Sequence, residues 1–287
     1  MTEHLPGVRI DAHHHVWDLA VRDQPWTADI PALRRTFTFD QLRPQLADAG
    51  ISATVLVQTI TVAEETPEFL ALAEETPEIS GVVGWVDLTA ADVADQLAEL
   101  NDGTNARWLV GIRHQVQGEP DPEWLLRPDV LRGLRTVADA GLAYDLLVTE
   151  PQLPAAIGAV RQVPELRFIL DHGGKPLIAA GEIDPWRHHI TELAQLPNVA
   201  VKLSGLLTEA GPDWTLDTMR PYAEHLLGAF GAQRTMFGSD WPVSTLRADY
   251  VDVVTVMNDL LAGCSEAESA AIFGSSAASW YRLDGTR

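Results

Sequence analysis

Two short stretches far apart in the chain carry residue types that do chemistry: Asp11-Ala12-His13-His14-His15-Val16-Trp17 and Gly238-Ser239-Asp240-Trp241-Pro242. Side chains alternate faces along an extended segment, so His13 and His15 point one way and His14 the other. Two imidazoles on one face, met in space by a distant aspartate, can hold a metal, polarise a carbonyl or position a water. A strand that only packs has no use for that arrangement. Asp11 shares the face of His13 and His15 but lies deeper, which suits a structural role.

Something must bring these stretches together. Between them, short runs rich in Val, Ile and Leu alternate with helix-like segments. Eight runs are legible, over residues 8–16, 53–59, 80–88, 109–116, 143–148, 167–172, 199–204 and 235–239. Near-continuous apolar strands are what a parallel sheet covered by helices requires. Thr38-Phe39-Asp40-Gln41 reads as a capping box. Thr66-Pro67-Glu68 reads as an N-cap, a proline at N1 and an acid in the first turn. Helical patterns over 129–140 and 217–230 run into Gly141 and Gly231, as C-caps. Strands alternating with helices predict an α/β fold, a (β/α)8 TIM barrel, with an open doubly wound sheet as the alternative. No linker or composition break divides residues 1–287, so one domain is expected, with closing helices over 248–287.

Composition excludes several classes of partner. The chain has 287 residues, 46% of them hydrophobic, and a formal charge of −21. Such a surface repels nucleic acid and anionic lipid. A single cysteine, Cys264, rules out an intrachain disulfide and a Cys-rich metal site, and no Cys/His signature surrounds it. No apolar run reaches the length of a membrane span, and Met1 to Val8 lacks the regions of a signal peptide. A cytoplasmic protein is expected.

A barrel carries its site at the C-terminal ends of its strands. Those ends offer His13 and His15, Gln58, Trp85, Arg113 and His114, Tyr144 and Asp145, His172, Lys202 and Ser204, and Asp240. Polar residues at strand ends near solvent need no function singly. His13, His15, His172 and Asp240 together do. Arg113 and His114 are adjacent, so a regular strand sends only one of them inward. Lys202 suits an ion pair as well as a site. Trp17, Trp26 and Arg34-Arg35 occupy the loop after the first run, and Trp241 can wall a pocket. His14 packs toward the helix layer. His188, His189 and His225 read as helix-surface residues, and His4 as part of a loose terminus.

In this order the motifs resemble the amidohydrolase superfamily, and within it the branch of sugar and aromatic-acid lactonases. The matching pieces are Ile10-Asp11-Ala12-His13-His14-His15-Val16-Trp17-Asp18, Gly111-Ile112-Arg113-His114, Leu170-Asp171-His172-Gly173-Gly174-Lys175-Pro176, Val201-Lys202-Leu203-Ser204-Gly205 and Phe237-Gly238-Ser239-Asp240-Trp241-Pro242. The resemblance runs almost end to end. Members with a full metal site are known for a lysine or glutamate on the fourth strand and histidines on the fifth and sixth. Here the fourth run offers Arg113 and His114, the fifth ends in Tyr144-Asp145-Leu146, and the sixth supplies His172. A binuclear site is therefore not expected. A single divalent ion, zinc by donor type, can sit on His13, His15 and Asp240 with His172 nearby. The branch also resembles enzymes that work without metal, and the expectation here is catalysis that does not strictly require one.

The resemblance implies hydrolysis at a carbonyl centre, the opening of a small lactone, foremost a sugar acid lactone. Asp240 is then the general base, and His13, His15 and His172 polarise the carbonyl. Arg113, His114, Lys202, Trp26, Tyr144, Trp241 and Gln58 are the candidates to hold substrate. Gln24-Pro25-Trp26-Thr27 resembles the family's lid. The competing readings are a zinc-dependent decarboxylase or amidohydrolase acting on a small carboxylated substrate, and a barrel that binds a ligand without chemistry. A monomer or homodimer is expected.

Overall fold

The computed structural model describes residues 7–283. His4 and the expected lack of a leader in residues 1–6 lie outside that range, as do residues 284–287. The strands are β1 (Ile10–His14), β2 (Ala53–Val57), β3 (Ile79–Gly84), β4 (Leu109–His114), β5 (Ala143–Leu146), β6 (Arg167–Leu170), β7 (Val199–Leu203) and β8 (Thr235–Phe237). Each is parallel to the next in chain order. The ring closes where the chain leaves β8: Asp240 N–H donates to the His13 carbonyl at 2.8 Å, and His15 N–H to the Trp241 carbonyl at 2.7 Å. The expected (β/α)8 barrel is the fold, and each of the eight apolar runs forms a strand.

The helices wrap the outside: α1 (Phe39–Asp48), α2 (Glu65–Glu75), α3 (Val93–Asp102), α4 (Pro128–Asp139), α5 (Leu153–Gln162), α6 (Trp186–Ala194), α7 (Leu206–Ala210), α8 (Leu216–Phe230), α9 (Tyr250–Leu260), α10 (Glu266–Ala270) and α11 (Ser276–Tyr281). In α1, Phe39, Leu42 and Leu46 make one buried stripe at helical spacing. Gly141 and Gly231 adopt positive φ just past α4 and α8, as their C-cap reading requires.

Two cap expectations fail. The Thr38 side chain makes no capping bond. Thr66 lies inside α2, which begins at Glu65. Its hydroxyl instead accepts from Trp85 N–H at 2.8 Å and donates to the Trp85 carbonyl at 3.1 Å, tying the helix to the chain leaving β3. Tertiary bonding claims a hydroxyl that local sequence assigns to a cap.

Inside the barrel, Ala12, Ala143 and Ala200 leave room that Val55, Ile169 and Met236 fill. Each such fully buried Val, Ile or Met contributes about 1.5–3 kcal/mol of transfer free energy. Ala277 and Tyr281 of α11 join this interior cluster at the base. No helix among the described residues is long and apolar enough to cross a membrane.

Candidate active site

The first strand is not regular. Its pairing with β2 slips between Asp11 and His14. Ile10 and Ala12 pack in the barrel interior, and the slip then lets His13 point inward as well. Asp11 therefore does not share the face of His13. It turns to the helix layer, where its carboxylate accepts from Tyr250 Oη at 3.0 Å. The other oxygen accepts from the N–H groups of His13 and Ser239, at 3.1 and 2.8 Å. These are donors that the irregular seam leaves outside the ladder. Burial raises the Asp11 pKa to about 6 against these bonds. His14 faces the helices, bonded to Thr54 Oγ1 at 3.0 Å and edge-on to Phe39.

His13, His15, His172 and Asp240 converge. The Nε2 atoms of His13 and His15 are 3.1 Å apart. Asp240 Oδ1 lies 3.7, 3.6 and 3.9 Å from the Nε2 atoms of His13, His15 and His172. Burial would raise the Asp240 pKa, but His172, His15 and Lys175 together hold it below the ordinary value. Burial, then the neighbouring cations, drives His13 well below the imidazole range. Burial also lowers His15, and lowers His172 to about 4. The centre is thus an ionised carboxylate among neutral imidazoles.

The backbone is strained where it presents these groups. His172, Lys175 and Asp240 have φ of 53°, 50° and 57°, in the left-handed region. Residues 172–175 form a left-handed turn in which Gly173 and Gly174 take the middle positions. Gly205 is needed beside it, because a Cβ there would stand 2.8 Å from His172 Nδ1. His172 Nδ1 is 2.9 Å from Ser204 Oγ.

Beneath His13 lies a buried ionic network. Lys202 Nζ is 2.5 Å from Asp145 Oδ2, 2.9 Å from Asp171 Oδ1 and 2.9 Å from His13 Nδ1. Arg113 Nη1 donates to Asp171 Oδ2 at 3.0 Å. Tyr281 Oη donates to Asp145 from below at 2.7 Å. Burial would raise Asp171, but Lys202, His13 and Arg113 hold it well below the usual carboxylate range. Asp145, with less compensation, is raised by burial to about 6.

Above the cluster opens a cavity of about 360 Å³. His15, Arg113, His172, Asp240 and Trp26 line it, with Thr59, Gln115, Gln117, Lys175 and Thr208 on the walls. Trp26 is held by a 2.9 Å bond to Gln24 Oε1 and an edge contact with Trp17, and from the Gln24–Thr27 loop it reaches the cavity wall. Of the residues expected to hold substrate, Arg113 and Trp26 reach the cavity, and five are placed elsewhere. His114 turns outward, stacked on Trp124 and bonded to Glu119 at 2.8 Å. Trp85 lies beside it, donating to His114 Nδ1 at 3.1 Å. Tyr144 packs against Phe168 outside the barrel, because Asp145 is the inward residue of β5. Lys202 is fully buried in the network below. Gln58 is also buried, and its Oε1 accepts from Arg113 Nε at 3.1 Å. Trp241 faces Phe37 in the outer core. The sequence reading missed Lys175 and its neighbour Glu209, 3.7 Å apart. Lys175 stood in the Gly-Gly-Lys motif, but nothing local marked Glu209.

Metal ligation tests this centre further. Ligand atoms of His13, His172 and Asp240 all lie within 4.8 Å of one another. Neutral imidazoles with a carboxylate suit zinc, whose tetrahedral ligands sit about 3.3 Å apart. The surroundings of His13 do not suit a dication. Arg113 Nη1 is 3.4 Å from its Nε2, and Lys202 Nζ is 2.9 Å from its Nδ1. Both cations are paired with buried carboxylates, but the His13 nitrogen facing Lys202 accepts from it, which leaves the Nε2 that faces the site protonated and without a lone pair for an ion. No step below passes through an ion.

A (β/α)8 barrel with imidazoles on β1 and after β6, and a carboxylate after β8, defines the class as a barrel hydrolase. The chain belongs to the amidohydrolase family, whose model matches residues 10–283. An L-fucono-1,5-lactonase of Burkholderia ambifaria is 38% identical over 285 residues, covering 96% of each chain. A crystal structure of an amidohydrolase from Burkholderia multivorans with bound zinc is 38% identical, with a TM-score of 0.89 over 96% of this chain and 99% of that one. Another crystal form of that protein, with bound HEPES, gives a TM-score of 0.90 at 36% identity over the same shares.

Proposed function

We propose that this protein is a lactonase that opens a small, neutral sugar acid lactone. The observation that carries the reading is the ionised Asp240 carboxylate held within 4 Å of three neutral imidazoles at the floor of the cavity. Its relative in Burkholderia ambifaria is an L-fucono-1,5-lactonase.

Asp240 takes a proton from water as the water oxygen attacks the lactone carbonyl carbon. The carbonyl oxygen gains the charge and is stabilised by N–H donors of His172 and Arg113 on the cavity wall. The ring C–O bond then breaks. The proton on Asp240 passes to the leaving alkoxide oxygen, and the product is a hydroxy acid.

Charge balance selects among lactones. Both cations on the cavity wall already face carboxylates: Arg113 meets Asp171 at 3.0 Å, and Lys175 stands 3.7 Å from Glu209. Asp240 adds a negative charge. A carboxylated lactone would enter without a spare cation to receive it, whereas hydroxyl groups find donors and acceptors in Lys175, Thr208, Gln115 and Gln117.

A panel of aldonolactones and carboxylated lactones, scored by acid release in a pH-indicator assay, tests this. Neutral aldonolactones should turn over, with carboxylated ones at least about 100-fold slower, a difference of roughly 2.7 kcal/mol. Acid release from none of them would overturn the reading.

A further inference from the structure

Three histidine-containing contacts near the base fix where the ring protons are. An ammonium has hydrogens to give and no lone pair to accept with. Lys202 Nζ, between the carboxylates of Asp145 and Asp171, is 2.9 Å from His13 Nδ1 with hydrogen-bond geometry. That nitrogen must therefore accept. Asp171 Oδ1 is 3.3 Å from the same Nδ1, yet it makes no directional hydrogen bond. A neutral imidazole that accepts at Nδ1 carries its proton on Nε2.

The next contact agrees. His15 Nδ1 is 2.7 Å from the Val57 carbonyl, which can only accept, so His15 is protonated at Nδ1 and has its lone pair on Nε2. His13 Nε2–H then points at that lone pair across 3.1 Å. Hydrogen bonds run one way from Lys202 through His13 and His15 to the accepting carbonyl of Val57. Arg113 Nη1, 3.4 Å from His13 Nε2, faces another donor and not an acceptor. His13 Nε2–H is directed at His15, and Arg113 Nη1 at Asp171 Oδ2.

We propose that Lys202 is a positioning residue that holds His13 in the tautomer protonated at Nε2, so that His13 donates to His15 Nε2 beside the Asp240 carboxylate. That this arrangement serves Asp240 in catalysis rests on the lactonase reading; the tautomer does not.

The test is nitrogen-15 NMR of histidine-labelled protein, with the His13 ring signals assigned by their absence in His13→Gln. In the wild type, His13 should show a protonated Nε2 and a bare Nδ1. In Lys202→Met/Asp145→Asn, which removes one buried charge of each sign, the proton should move to Nδ1 and face Asp171. That variant should lose at least about tenfold in kcat with KM within about threefold, because His15 beside Asp240 loses the N–H that orients it. If the double variant does not fold, Asp171→Asn replaces it: His13 should keep its Nε2 proton there. A wild-type His13 protonated at Nδ1, an unchanged tautomer without Lys202, or a flip in Asp171→Asn would each overturn the proposal. These spectra need no substrate, so failure of the lactone panel leaves the tautomer result standing, and the reverse holds too.

Discussion

Asp240 keeps its charge because His172, His15 and Lys175 outweigh burial, whereas burial itself strips His172 of its proton. The proposed base is therefore ionised, and the imidazoles neutral, across the whole range above about pH 4, where His172 titrates. The folded pKa values of both groups are depressed, so activity is present above them and is lost as pH falls through them. We predict a kcat/KM profile that is flat from about pH 8 to about pH 5.5 and falls toward pH 4. A midpoint near 6.5, that of an ordinary histidine, would contradict this. Asp240→Asn should cost about 10²–10⁴ in kcat in the same assay, the usual worth of a positioned base. Lys175→Met should raise KM for a neutral lactone about tenfold and leave kcat within about twofold, a loss of roughly 1.4 kcal/mol from one hydrogen bond.

At the scale of elements, irregular backbone decides which side chains meet. Strict alternation on β1 would place Asp11 with His13, and the slip between Asp11 and His14 separates them. The pairing of β3 with β4 also slips, between Val82 and Val83, before Arg113 faces inward and His114 outward. Sequence reading found the strands because apolar runs are local. It singled out His13, His15, His172 and Asp240, which the structure brings together, because they sit in distinctive motifs. It misplaced His114 and Tyr144 because a two-residue period cannot see a bulge or choose between neighbours. It left Lys202 open between an ion pair and the site, and placed Gln58 against substrate, because burial beneath the site leaves no mark on composition. The left-handed turn at 172–175 gives a test of element geometry. Gly205 and Gly211 both have positive φ, but only at Gly205 would a Cβ strike His172, at 2.8 Å. Both alanine variants should lose about 1 kcal/mol or more of stability in denaturant unfolding. Only Gly205→Ala should also lose at least about tenfold in kcat/KM, because only it displaces His172.

The molecule as a whole carries a formal charge of −21. Self-repulsion of that size weakens the compact state and is screened by salt. The Tm should therefore rise between about 10 mM and about 200 mM NaCl, where the Debye length shrinks from roughly 30 Å to below 10 Å. A falling or flat Tm would show that local ion pairs such as Arg22–Glu68 outweigh the global field. The same field repels an acid once it has formed, which favours departure of the hydroxy acid product over its return. Distant parts also hold the centre together. Tyr281 Oη reaches Asp145 from the base, so Tyr281→Phe leaves a buried carboxylate short of a donor. It should cost about 1–3 kcal/mol of stability.

That last contact has a meaning in time as well as in space. A ribosome makes His13 early and Tyr281 late, and 136 positions separate Tyr281 from Asp145. A growing chain can lay down strand after strand with its histidines already in place. It cannot seat the Asp145 carboxylate under Lys202 until the last turn of α11 has emerged and turned back beneath the barrel. A chain cut short in its final stretch would thus hold every group of the proposed chemistry and still lack the buried anchor beneath them.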